Sequence, residues 1–132
     1  MTLDRIRTTP HESKYRLIVT IVNRGFADTV MDAARDAGAQ GGTILYARGS
    51  GIHEMQKFFG ITIEPEKEVV FVLVEVEERD EILRAICKGA GLNTEGRGLS
   101  FTLPVDDVMG IVHRMNGQDG GQEAQEPPHE PS

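Results

Sequence analysis

A single cysteine, Cys87, in 132 residues excludes an intramolecular disulfide and fits a reducing compartment. No apolar run approaches the roughly 20 residues needed to cross a membrane, so no membrane insertion is expected. Met1–Pro10 carries Arg5 and Arg7 but lacks the apolar stretch of a secretory signal, which makes a cytoplasmic location the expectation. Positive charge is not in excess either: 14 Lys and Arg stand against 21 Asp and Glu, a net charge of −7. Four of those acids, Asp119, Glu123, Glu126 and Glu130, lie in Gly117–Ser132, leaving 17 acids against 14 bases, or −3, for the remainder. Such a chain has no basic surface of the kind that attracts nucleic acid. The zincin pattern H-E-x-x-H is missing as well, because His53-Glu54 is followed by Lys57 where the second histidine would stand. Cys87 falls on an apolar helical face and reads as a small core residue rather than a nucleophile. With no acid–base pair in view, no catalytic residue, no metal site and no enzyme are expected.

What is present organises into one domain. Residues 1–13 read as a flexible lead-in and 14–116 as the folded domain. The Gly/Gln/Glu/Pro-rich 117–132 is an acidic tail too poor in apolar surface to fold. "KYRLIVTIVNRG" from Lys14 is a strand rich in β-branched residues that stops at Asn23-Arg24-Gly25. "FADTVMDAARDAGAQ" switches to helical spacing, with Phe26, Val30, Ala33, Ala34 and Ala37 on one face and Gly38 as the stop. Thr43–Arg48 is a short strand between glycine pairs, and Ile52–Glu66 reads as a long loop with room for a helical turn. Glu68–Val76 is a strand. "EERDEILRAICKGAGLN" is a helix turned inward at Ile82, Leu83, Ala85 and Ile86, ending near Gly89–Gly91. "GLSFTLPV" alternates as a half-buried strand, and Val105–Met115 reads as a short terminal helix.

The order βαββαβ is the ferredoxin-like arrangement of the α+β class, an antiparallel four-stranded sheet with two helices on one face. The first and third strands are nearly continuous apolar runs and so read as central, with the other two at the edges. Two helices cover only one face, yet the third strand is apolar on both. Val69, Phe71 and Leu73 point one way and Val70, Val72, Val74 and Val76 the other. Another copy of the chain is the simplest cover for the second face. An oligomer is expected.

The stretch "GLNTEGRGLSF", Gly91 to Phe101, places three glycines and one arginine just ahead of the last strand. Glycine lets backbone N–H groups approach an anion closely, and Arg97 adds a cation. Together with "GGTILYARGSG" at the second strand, this segment resembles the nitrogen regulatory P-II family and its wider P-II-like relatives over roughly Lys14 to Ile111. The resemblance implies a homotrimeric signal-transduction protein that binds an adenine nucleotide (ATP, ADP or AMP) in clefts between subunits, with magnesium left open. It also implies a regulated partner, with a membrane transporter or channel favoured, reached through the loop after the second strand. On this likeness Gly42 and Thr43 lie near the adenine, Gly49 and Gly51 open the partner loop, and Glu95, Gly96, Arg97 and Gly98 belong to the phosphate loop. His53, Phe58 and Phe59 fall in the partner-binding loop.

The sequence also departs from that family. Where the family has Gly-Asp-Gly-Lys, the chain has Gly96-Arg97-Gly98-Leu99, so Arg97 must stand in for a lysine. The family's C-terminal arginine pair has no clear match, a glutamine tied to 2-oxoglutarate aligns near His53, and the modified tyrosine is absent from Ile52–Glu66. Neither 2-oxoglutarate sensing nor tyrosine uridylylation is therefore expected. The rival reading is a metal-handling trimer or small enzyme similar to the copper-tolerance CutA family, using His53, Glu54 or His113.

Overall fold

In the computed structural model, which describes residues 13–49, 56–58 and 61–110 (backbone alone for 56–58 and 61–63), six strands and two helices follow in sequence. They are β1 (Tyr15–Asn23), α1 (Ala27–Asp36), β2 (Thr43–Arg48), β3 (Gln56–Phe58), β4 (Ile61–Ile63), β5 (Glu66–Glu75), α2 (Arg79–Ala90) and β6 (Gly98–Val105). The four long strands form one antiparallel sheet in the order β2-β5-β1-β6. The expected α+β ferredoxin-like architecture holds, with the two most apolar strands in the centre.

Alternation decides what each face of the sheet does. Ile18 and Val22 of β1 and Val70, Val72 and Val74 of β5 point toward the helices and are buried with Val30, Met31 and Ala34 of α1 and Ile82 and Ile86 of α2. The helices meet closely where Gly89 faces Ala33; a Cβ on Gly89 would lie 2.7 Å from that of Ala33. On the opposite face no element of the described chain lies over the sheet. Three cross-strand rows run over it: Leu45–Val69–Ile21–Leu99, Thr43–Phe71–Val19–Phe101 and Leu73–Leu17–Leu103. Leu45, Leu99, Phe101 and Leu103 are 38–53% exposed there, an uncommon cost for large apolar side chains in one contiguous sheet face.

Three expectations need correction. The segment 52–66 is not simply a loop, because β3 and β4 pair as an antiparallel hairpin with Phe58 opposite Ile61. Phe58, Ile61, Thr62 and Ile63 are good strand formers, and their pairing outweighs the breaker signal of Gly60 and Pro65. No terminal helix begins after β6: Val105 is its last residue and Asp106–Gly110 are not helical, while 111–115 lie outside the described residues. Phe26 is not a core residue of α1 but stands at its N-terminal boundary, 36% exposed, and Met31 takes the core place instead.

α1 has no side-chain cap of its own. Glu68 of β5 supplies it across the sheet: one carboxylate oxygen accepts from Gly25 N–H at 3.1 Å and Ala27 N–H at 2.9 Å. An acceptor with negative charge at a helix N-terminus satisfies the orphan donors and complements the dipole. Glu68 is only 8% exposed, so its loss would leave those donors beside a buried gap. Glu68→Ala is expected to destabilise the fold by roughly 1–3 kcal/mol, and Glu68→Gln, which keeps an acceptor oxygen, by less. Chemical denaturation at matched protein concentration checks the ranking.

Candidate functional site

Antiparallel pairing brings the end of β2, the start of β5, the end of β1 and the start of β6 to one end of the sheet. Arg48 lies opposite Glu66, Lys67 opposite Asn23, and Val22 opposite Gly98. This end therefore gathers Arg24, Arg48, Lys67 and Arg97, four cations in a chain that is acidic overall. Two acids of β5 at this end are engaged. Glu68 holds the α1 N-terminus, and Glu66 pairs with the Arg24 guanidinium, whose pKa is raised by that hydrogen bond and charge. A shallow pocket beside them is lined by Arg24, Tyr46, Ala47, Arg48, Glu66 and Lys67.

The glycine segment entering β6 is a tight exposed turn. α2 ends at Gly91 in the left-handed region (φ 69°), where Gly91 and Leu92 N–H groups bond back to the last turn. Thr94 N–H then donates to Gly91 O at 3.0 Å and Arg97 N–H to Thr94 O at 3.2 Å. Gly96 has φ +84° with nothing within 4 Å of a would-be Cβ, so its backbone is open to solvent. Gly98 has φ +130° and is different: a Cβ there would lie 2.3 Å from Ile21 O and 3.2 Å from Val22 Cα. Gly96 is the open approach, whereas Gly98 is required for β6 to close on β1.

Arg97 is aimed by its neighbours. Its guanidinium carbon lies 4.9 Å from the centroid of the Phe26 ring and beside Gly91. A cation–π contact uses none of the guanidinium's N–H donors for a hydrogen bond, and arginine can take anions two-handed through those donors. No hydrogen bond or ion pair reaches that guanidinium among the described residues. Phe26 was legible only as a helix residue; its role as the platform depends on α1 and the β6 turn meeting in space.

The predicted site residues separate into two places. Gly96, Arg97 and Gly98, with exposed Glu95, lie at the β6 edge. Gly49 is at the end of β2, donating its N–H to Pro65 O at 3.2 Å. Gly42 and Thr43 lie at the other end of β2, and Thr43 pairs with Phe71 in the middle of β5. Gly42 packs closely, since a Cβ there would sit 2.7 Å from Met31 Sδ and 2.8 Å from Phe71 O. β2 and β6 are the two edge strands, so these places are about 14 Å apart across the sheet at three strand spacings. One chain does not bring them together. Gly51, His53 and Phe59 lie outside the described residues, as do Glu54 and His113 of the metal reading, and Phe58 is described as backbone of β3. Cys87 is not the core residue expected: it is half-buried, outside the core cluster, with its Sγ 3.5 Å from Asn93 Oδ1.

As site residues, Arg24, Arg48, Lys67 and Asn23 are not legible in the sequence alone. Only Asn23 and Arg24 carried a local signal, as the turn that stops β1; the others needed the strand register.

A family model, nitrogen regulatory protein P-II, matches residues 15–115. The chain is similar to a crystal structure of Arabidopsis thaliana PII bound to citrate, at 26% identity and a TM-score of 0.61, over 76% of this chain and 85% of that one.

Proposed function

The chain belongs to the nitrogen regulatory protein P-II family, and from that premise we propose that it is a homotrimeric signalling protein, not an enzyme, that binds an adenine nucleotide between subunits. The observation that carries this reading is the turn Gly96-Arg97-Gly98: an open glycine, an arginine held over Phe26 whose guanidinium no described residue hydrogen-bonds, and three further cations at the same sheet end. Anions are favoured there by charge, and the open side of Gly96 leaves room for close approach to the backbone.

The two-place division of the site argues for sharing between chains. The phosphate loop of one β6 edge and the Thr43–Gly49 edge of another chain's β2 would together form what one chain keeps about 14 Å apart. The open face, with its three apolar rows, supplies the reason for chains to associate. The nucleotide then acts on the connection between β2 and β5, whose stem begins at Gly49 and ends at Pro65-Glu66. A ligand contacting two arrangements of that connection unequally would change what a partner, such as a membrane transporter or channel, encounters. Citrate in the plant relative is a small anion and agrees with an anion-seeking cleft.

The test is Arg97→Ala. It should weaken nucleotide binding by roughly tenfold to a hundredfold, since a charge-assisted hydrogen bond contributes about 1.5–3 kcal/mol. The loss should shrink as phosphates are removed from the ligand. The fold should change little, because the cation–π contact with Phe26 contributes only about 0.5–1 kcal/mol at an exposed site. Equal affinity in the variant, with the assembly intact, would make the loop a plain turn.

A further inference from the structure

Asn23 is the last residue of β1, half-buried, and lies between the two halves of this sheet end. Its cross-strand partner on β5 is Lys67, and β6 begins one position earlier, at Gly98 opposite Val22. The register thus leaves the Asn23 side chain facing Lys67 on one side and the incoming glycine turn on the other. Both contacts are made. Asn23 Nδ2 donates to Gly96 O at 3.0 Å, and Lys67 Nζ donates to Asn23 Oδ1 at 2.7 Å.

The chemistry of the two partners fixes the amide one way round. Turned over, its oxygen would face the Gly96 carbonyl and its NH2 the Lys67 ammonium, two unfavourable pairs. The cation on Oδ1 also polarises the amide and strengthens the bond that Nδ2 makes, as linked hydrogen bonds do. A carbonyl held by Asn23 is a carbonyl turned away from an anion above the turn. The same peptide carries the N–H of Arg97, so its orientation also sets where Arg97 starts. Lys67 directly follows Glu66, whose backbone O accepts from Arg24 N–H at 3.2 Å, and Gly49 N–H closes on Pro65 O just before it.

We propose that Asn23 is the strut that ties the glycine turn to the stem of the β2–β5 connection, so that an anion held at Gly96–Gly98 changes the order of that stem. Asn23 is a positioning residue: it reads the turn through Gly96 O and the stem through Lys67. The proposal deepens the nucleotide reading above and rests on it for the identity of the anion.

Two variants separate the arms of the strut. Asn23→Ala removes both bonds; Asn23→Asp keeps the shape and the Lys67 partner but replaces the donor to Gly96 with an acceptor. In the ligand-free protein, amide exchange resolved by NMR should rise about tenfold at Arg97 in both variants, the equivalent of about one hydrogen bond. Exchange at Arg24 should rise in Asn23→Ala and stay unchanged in Asn23→Asp. With saturating ATP, the wild type should show slowed exchange at Arg24 and Gly49, and Asn23→Asp should still bind ATP but lose that slowing. An Arg97 amide indifferent to both substitutions would overturn the strut. So would ATP slowing Gly49 as much in Asn23→Asp as in the wild type. A wild type that gives no heat with ATP, ADP, AMP or cyclic AMP would overturn the nucleotide reading instead, and exchange at Arg97 and Arg24 in the free protein would still decide whether Asn23 joins turn and stem.

Discussion

Gly98→Val is expected to destabilise the protein by roughly 2–6 kcal/mol, the largest effect of any single substitution considered. Two costs add. A side chain at φ +130° sits in a region L-residues rarely occupy, about 1–3 kcal/mol. A Cβ 2.3 Å from Ile21 O cannot be accommodated without moving β6 off β1, a further 1–3 kcal/mol or so by analogy with overpacked cores. The backbone oxygen cannot swing aside as a flexible side chain would. Gly96→Ala is the control: it shares the positive φ, at +84°, but meets nothing within 4 Å, so only the conformational cost remains. Urea unfolding at a fixed protein concentration should place Gly98→Val far below Gly96→Ala. Equal midpoints would show that the approach of β6 to β1 is not tight.

A charge on the open sheet face is expected to dissolve the assembly. Phe101 lies in the row Thr43–Phe71–Val19–Phe101, and 38% of it is exposed in the single chain. Burying a Phe side chain contributes about 1.5–3 kcal/mol, and a carboxylate in its place would have to enter an apolar interface without a partner. The combined effect in every subunit of Phe101→Glu should weaken association by well over a hundredfold, at about 1.4 kcal/mol per factor of ten. Light scattering at micromolar concentration should report monomers. Arg84→Glu, on the exposed side of α2, changes the charge by two units against one for Phe101→Glu and should still leave the assembly alone. A Phe101→Glu protein that stays assembled would mean that some other surface holds the chains together.

How far the sequence alone reached is best seen at particular residues. β2 is read with the correct ends because glycines bracket Thr43–Arg48, and a change of backbone freedom is a local signal. The two faces of β5 are read from alternation, which is also local. The hairpin of β3 and β4 is not legible in the sequence because three-residue strands give too short a pattern, and only their pairing, from Gln56 opposite Ile63 to Phe58 opposite Ile61, reveals them. The glycine turn was visible as a motif, but its two outer glycines do different work. Gly96 is open and Gly98 is packed, a distinction set by β1, more than 70 positions earlier. Phe26 and Asn23 read in the sequence as part of a helix face and of a turn; their contacts with Arg97 and Gly96 arise only once distant segments meet. Local chemistry was legible, and long-range partnership was not.

The most direct test of the account is calorimetric titration of the purified protein with ATP, ADP, AMP and cyclic AMP, alongside light scattering of the same sample. The account predicts a trimer that binds at least one of these nucleotides saturably, with one site per chain. An intact trimer that gives no heat with any of the four at millimolar concentration would contradict it.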